Sequence, residues 1–78
     1  MKNKLSTIQD KFIKQVGERV KEIRNSKNLS QMKLSLAISD HYSLISKVEA
    51  GKNVTLSTLI SILNGLDIKP SDFFREFK

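Results

Sequence analysis

Residues 29–52, LSQMKLSLAISDHYSLISKVEAGK, contain two short amphipathic segments separated by a polar break. Ser30 is a favourable N-cap for the first segment, because its hydroxyl can accept a hydrogen bond from a first-turn N–H. The polar run at 39–41 favours a turn or a new cap, and Gly51 suits the left-handed end of a second helix. Apolar residues recur at helical spacing on one face of each segment: Leu34, Ile38, Ile45 and Val48. We therefore predict two helices of about two turns joined by a tight turn, which is a helix-turn-helix.

Helical periodicity continues on both sides of this pair. Before it, a long first helix is predicted to end near Ser26. The apolar stripe of that helix recurs every three or four residues: Ile8, Phe12, Val16, Val20 and Ile23. After the pair, a fourth helix is predicted to end at Gly65, and Pro70 opens a short fifth helix that carries three phenylalanines. No alternating strand pattern is present, so the predicted fold is an all-α, compact five-helix bundle.

The length and the charge balance narrow the possible functions. The chain has 78 residues, enough for one domain. We predict a flexible N-terminal tail over 1–7 and a folded domain over 8–78, with the helix-turn-helix at about 31–50. Fourteen Lys and Arg against eight Asp and Glu give a net charge of +6, which favours a polyanion as partner.

Several other classes of function are disfavoured by what the sequence lacks. There is no cysteine, which removes disulfides, zinc-finger spacing and thiol catalysis. No apolar run approaches the ~20 residues of a membrane span, and the amino terminus does not have the pattern of a signal peptide. We therefore expect a cytoplasmic protein with no membrane contact, no metal, no cofactor and no small-molecule ligand.

The central stretch, preceded by VGERVKEIR and followed by TLSTLISILNGLDIKPSDFF, resembles the XRE family of phage-repressor-like DNA-binding domains. The similarity covers residues 15–74 without gaps. It implies a lambda-repressor-like domain whose second helix of the pair, from about His41 or Tyr42 to Ala50, enters the DNA major groove. Stand-alone domains of this kind resemble restriction–modification controller proteins, small phage or plasmid repressors, and antitoxins.

Three positions depart from the usual pattern of that family. Ser39 stands where the stop of the first helix is usually glycine, and Asp40 stands where the next residue is usually apolar. Met32 replaces an acidic residue. The first two substitutions concern the geometry of the turn, and Asp40 brings negative charge towards the groove.

The resemblance also implies an internal ion pair between Arg24 of the first helix and Glu49 at the end of the recognition helix. From the residues alone, this pair could equally be a solvated salt bridge that contributes little to stability.

The residues expected to contact DNA lie on and around the recognition helix, and they are mostly polar or small. They are Gln31, His41, Tyr42, Ser43, Leu44, Ser46, Lys47, Lys52 and Asn53. Gln31 is expected at a phosphate, and Ser46 and Lys47 at base edges. His41 is expected to be a cap or a neighbour of a phosphate. Leu44 could touch a thymine methyl group or pack locally, and the sequence leaves both open.

The carboxyl-terminal aromatic residues suggest a dimer. Phe73, Phe74 and Phe77 exceed what one short helix can bury in so small a core, so some of them are expected to face a second subunit. The alternative interface is the start of the first helix, around Leu5, Ile8 and Phe12.

The expected function is sequence-specific binding of double-stranded DNA by a homodimeric transcriptional regulator on a pseudo-palindromic operator. The alternative is an antitoxin-like or adaptor domain whose main partner is another protein. An enzyme is not expected, because the cluster Asp40, His41 and Ser43 lies on one turn and cannot supply nucleophile, base and oxyanion hole around one pocket. Membrane-surface binding by the first helix is disfavoured, since its apolar stripe is needed for the core.

Overall fold

The structure, a computed structural model, describes residues 4–75 and residue 77, with side chains from Thr7 onward. Within these residues there are five α-helices and no strand, which confirms the predicted all-α fold. The helices are α1 (Lys4–Ser26), α2 (Gln31–Ala37), α3 (Tyr42–Glu49), α4 (Leu56–Gly65) and α5 (Pro70–Phe74). In this described part of the chain, no helix is both long enough and apolar enough to cross a membrane.

The first helix begins earlier than the sequence predicted. Because α1 starts at Lys4, the expectation of a flexible tail is wrong for residues 4–7, while residues 1–3 lie outside the described part of the chain.

Side-chain caps position the helix-turn-helix. The Ser30 hydroxyl accepts from the backbone N–H of Lys33 at 3.0 Å and starts α2. Ser39 then has a φ of +55°, the left-handed conformation for which glycine is usual, and it closes the end of α2. Gly51 has a φ of +87° just after α3. Both departures from right-handed backbone lie where the sequence indicated a stop.

The core lies between all five helices. Its fully or almost fully buried apolar side chains are Val16, Val20, Ile23, Leu34, Ile45, Val48, Leu59, Ile62, Leu63, Leu66 and Phe73. Every one of the five helices places at least one large apolar residue of this set in the core, and α2 contributes Leu34. Burying one such side chain is worth roughly 1.5–3 kcal/mol, so the stripes predicted from the sequence hold the bundle together.

The last helix is shorter than predicted. It ends at Phe74, so Phe77 lies beyond it and is half-buried against the core rather than carried by the helix. A helix of five residues makes few internal hydrogen bonds and is not stable as an isolated element, so its length depends on packing. Phe73 is completely buried within the chain, which makes its predicted place in a subunit interface wrong.

Candidate nucleic-acid interface

The recognition helix α3 has one buried and one exposed face. Ile45 and Val48 are 0% and 1% exposed and attach the helix to the core. Tyr42 is 50% exposed, and Ser46 and Lys47 are exposed as well. The exposed face therefore carries a phenol, a hydroxyl and an ammonium group, all of which can form hydrogen bonds to base edges or phosphates.

His41 is the N-cap of α3. Its Nδ1 accepts from the backbone N–H of Ser43 at 3.3 Å and lies 2.9 Å from the Ser43 hydroxyl. The Asp40 carboxylate accepts from the backbone N–H of His41 at 2.7 Å, and the His41 ring stacks on Tyr42 with 4.9 Å between centroids. Because Nδ1 accepts, a neutral ring carries its proton on Nε2, which leaves that N–H as a donor for another acceptor.

The predicted contacts at 43 and 44 are less accessible than the rest. Ser43 and Leu44 are both half-buried, and Leu44 packs against the core. Of the two alternatives open for Leu44, local packing is therefore what the structure contains. Any contact of this side chain with DNA is limited to the part that stays exposed.

Arg24 and Glu49 form a buried, two-pronged ion pair. The guanidinium donates from Nε to Glu49 Oε2 at 2.6 Å and from Nη2 to Oε1 at 3.0 Å. The side chains are only 10% and 4% exposed. Arg24 Nη1 also donates to the carbonyl of Leu29 at 2.6 Å, so the pair joins α1, the connection to α2, and the end of α3.

Gln31, expected to contact a phosphate, is part of the same network. Its Nε2 donates to Glu49 Oε1 at 3.1 Å, and the residue is half-buried. The sequence alone does not connect Gln31 with Glu49, because residues 18 positions apart on different helices show no shared periodicity.

Lys52 and Asn53 lie in the exposed loop after α3. The Asn53 side-chain oxygen accepts from the backbone N–H of Val54 at 3.0 Å, and the amide N–H groups of Asn53 can donate to a phosphate or a base. Lys14 of α1 lies beside this loop. A β-carbon built on Gly51 would be 3.5 Å from the Cγ atom of Lys14. No local signal in the sequence links Lys14 to position 51, because the two residues lie on different elements far apart in the chain.

A family model described as Helix-turn-helix matches residues 20–73, more than half of the chain. The chain belongs to the XRE-type helix-turn-helix family. Members of this family are DNA-binding regulators, and the match extends from the middle of α1 into α5. The predicted family is thereby confirmed. No curated protein matches the sequence.

Two solved structures show the XRE-type domain in similar proteins. The restriction-modification controller protein C.Esp1396I, a tetramer in complex with its natural 35 base-pair operator, is 28% identical. That match covers 81% of this chain and 84% of the other, with a TM-score of 0.78. The controller protein C.AhdI from Aeromonas hydrophila is 33% identical over 80% of this chain and 96% of the other, with a TM-score of 0.74.

Proposed function

We propose that this XRE-type protein is a sequence-specific transcriptional regulator that binds duplex DNA as a homodimer at a pseudo-palindromic operator. The observation that carries the proposal is the two-faced recognition helix. Its inner face is fixed by Ile45 and Val48, and its outer face presents Tyr42, Ser46 and Lys47. A rigid helix with small polar residues and one cation outward can enter a major groove closely.

The charge of the protein supports a nucleic-acid partner. The net charge is +6, Lys47 and Lys52 lie on or beside the recognition helix, and Lys14 of α1 lies beside Gly51, the residue before Lys52. Lysines in such positions neutralise phosphates and release counterions, which supplies affinity without sequence preference. The similar protein C.Esp1396I is found in complex with its operator, and binding of duplex DNA is proposed for the present chain. A regulator that acts on DNA is expected in the cytoplasm.

An apolar patch supports the dimer. Phe12 of α1 is 44% exposed and stacks parallel to Phe74 with 6.4 Å between centroids, and it meets Phe77 edge-on at 5.6 Å. Ile8, one turn before Phe12, is 57% exposed. These four residues form a continuous apolar surface, and a two-fold axis through it would use each contact twice. Phe74 and Phe77 thus remain the proposed interface, with the start of α1 beside them.

A protein partner other than a second copy is the alternative function. Met32 and Leu36 lie one turn apart on α2 and are 53% and 69% exposed. An antitoxin-like or adaptor domain would cover such a pair with another protein, because exposed apolar side chains on adjacent turns favour burial. This surface is on a different helix from the proposed dimer patch, so the two functions can be separated by mutation.

Salt-dependent binding to a selected duplex tests the proposal. The duplex is chosen by repeated selection from random DNA and is then titrated at several salt concentrations against a scrambled control. If the dimer neutralises about 6–10 phosphates, affinity should fall by ~10³–10⁵ between about 50 and 200 mM salt. A preference for the selected duplex supports specificity, whereas no enrichment together with a flat salt response would favour the protein-partner alternative.

A further inference from the structure

The carboxylate of Glu49 is the centre of a hydrogen-bond network that joins both helices of the helix-turn-helix. It accepts three hydrogen bonds, two from Arg24 and one from Gln31. Gln31 is the first residue of α2 and Glu49 is the last residue of α3. The network therefore connects the start of one helix with the end of the other, and Arg24 attaches both to α1.

The chemistry of the carboxylate fixes which end of the Gln31 amide faces it. An ionised carboxylate only accepts hydrogen bonds, so the amide nitrogen and not the amide oxygen must point at Glu49. One N–H of that nitrogen is used at 3.1 Å. Since the side chain is half-buried, the second N–H has a fixed direction and remains a donor for an acceptor outside the network.

The ion pair also keeps the site compatible with an anion. Glu49 alone would place a buried negative charge beside Gln31 and would repel a phosphate. Arg24 neutralises that charge through its two-pronged contact, and its side chain is only 10% exposed, so it is itself not a surface contact. The pair therefore orients Gln31 without adding a net charge at the position where a phosphate would lie.

We propose that Glu49 is a positioning residue that aims the free amide N–H of Gln31 at the DNA backbone. This inference rests on the proposed DNA-binding function. In it, Glu49 of α3 sets the orientation in which the Gln31 side chain contacts a phosphate. Glu49 belongs to the recognition helix α3. It therefore fixes the position of the phosphate contact made from α2 relative to the base contacts made from α3.

The orientation itself is tested on the free protein. Nuclear magnetic relaxation of side-chain amides compares Gln31 with Gln9, which is exposed on α1. In the parent protein the Gln31 amide should be rigid, with an order parameter approaching the roughly 0.85 of ordered backbone, and Gln9 should fall below about 0.6. In Glu49→Gln one of the two acceptor oxygens becomes an NH2 group, so the Gln31 amide should become more mobile than in the parent. An equally mobile Gln31 and Gln9 in the parent would overturn the positioning role, even if Glu49→Gln failed to fold.

The consequence for DNA is tested by a double-mutant cycle on protein shown to be folded by circular dichroism. Gln31→Met should weaken binding on the order of tenfold, the loss expected for one hydrogen bond to a charged group. It should leave the salt slope unchanged, because a neutral amide contacts a phosphate without neutralising its charge. Glu49→Gln should add no further loss when Gln31 is already Met. If the fold losses in DNA affinity of the two single variants multiply in the double variant, Glu49 affects binding independently of Gln31.

The two tests separate this inference from the function on which it rests. A rigid Gln31 amide in a parent protein that binds no duplex would overturn the DNA-binding function and leave the orientation by Glu49 standing. A mobile amide in a parent protein that does bind its selected duplex would overturn the orientation alone.

Discussion

Gly17 of α1 lies directly against the backbone of Val48 in the recognition helix. A β-carbon at position 17 would come within 2.1 Å of the Val48 carbonyl oxygen and 3.2 Å of its carbonyl carbon. The two helices therefore approach each other at this point more closely than any residue with a side chain allows. Because the obstacle is backbone, it can be relieved only by moving a helix.

Gly17→Ala is expected to destabilise the protein and to displace the recognition helix. Replacing glycine by alanine inside a helix normally stabilises the folded protein by about 1 kcal/mol. Overpacking of this kind destabilises it by ~1–3 kcal/mol or more. Gly65→Ala is the comparison variant, because there the β-carbon would meet side chains rather than backbone, Ile38 Cγ2 at 2.6 Å and Leu34 Cδ1 at 3.0 Å. Thermal unfolding followed by circular dichroism should show the larger fall in Tm for Gly17→Ala. Equal changes for the two variants would contradict the close approach of α1 and α3.

Glu49→Ala should unfold much of this small domain. It leaves the Arg24 guanidinium buried without its partner, which costs ~3–5 kcal/mol in buried pairs. The control is Asp72→Ala, which removes the ion pair with Arg75, whose side chains are 42% and 71% exposed. An exposed pair contributes only ~0–1 kcal/mol, so the Tm of that variant should stay near the parent value. A Tm for Glu49→Ala within a degree or two of the parent would show that the pair contributes little.

Ser39→Gly is expected to stabilise the protein by about 1 kcal/mol. Ser39 has a φ of +55°, and a left-handed conformation is unfavourable for a residue with a β-carbon. The control is Ser61→Gly within α4, where glycine should instead lower stability by roughly 0.5 kcal/mol. Urea denaturation of both variants gives the two free energies of unfolding, and a loss of stability in Ser39→Gly would exclude strain at the end of α2.

Lys47 and Lys52 should affect DNA binding differently. Lys47 is on the exposed face of the recognition helix, so Lys47→Ala is expected to cost ~1–3 kcal/mol on the preferred site and to relax preference at one base pair. Lys52 is in the loop after the helix, and Lys52→Ala should weaken all sequences alike and reduce the salt slope by about 1. Titrations on specific and random duplexes distinguish these outcomes. Equal losses on both duplexes for Lys47→Ala would place that lysine on the phosphate backbone instead.

Phe74→Glu and Phe77→Glu, each alone, are expected to disrupt a dimer. Both rings are half-buried next to Phe12, and a charge there could not be covered by a second copy without a large desolvation cost. At least one variant should sediment as a folded monomer that binds DNA weakly. Leu56→Glu is the control, since Leu56 is 70% exposed on α4 and is not part of this patch. If both phenylalanine variants remain dimers, the interface lies elsewhere, with Ile8 and Phe12 as the next candidates.

The sequence by itself determined the features that depend on near neighbours. The cap at Ser30, the stops at Ser39 and Gly51, and the apolar stripes all follow from hydrogen bonds and contacts within one or two helical turns. The five helices and the exposed face of α3 could therefore be predicted. The Arg24–Glu49 pair was predicted through the family resemblance alone, because spacing does not distinguish a buried pair from a solvated one.

The tertiary structure decided which side chains meet across helices. The hydrogen bond from Gln31 to Glu49, the burial of Phe73 but not of Phe74, and the approach of Gly17 to Val48 all depend on how the helices cross. A helical period specifies which face is apolar, but a rotation or shift of one helix by a fraction of a turn changes its partners without changing that period. These contacts are fixed only when the whole core is packed, because close packing allows few combinations of crossing angle and register.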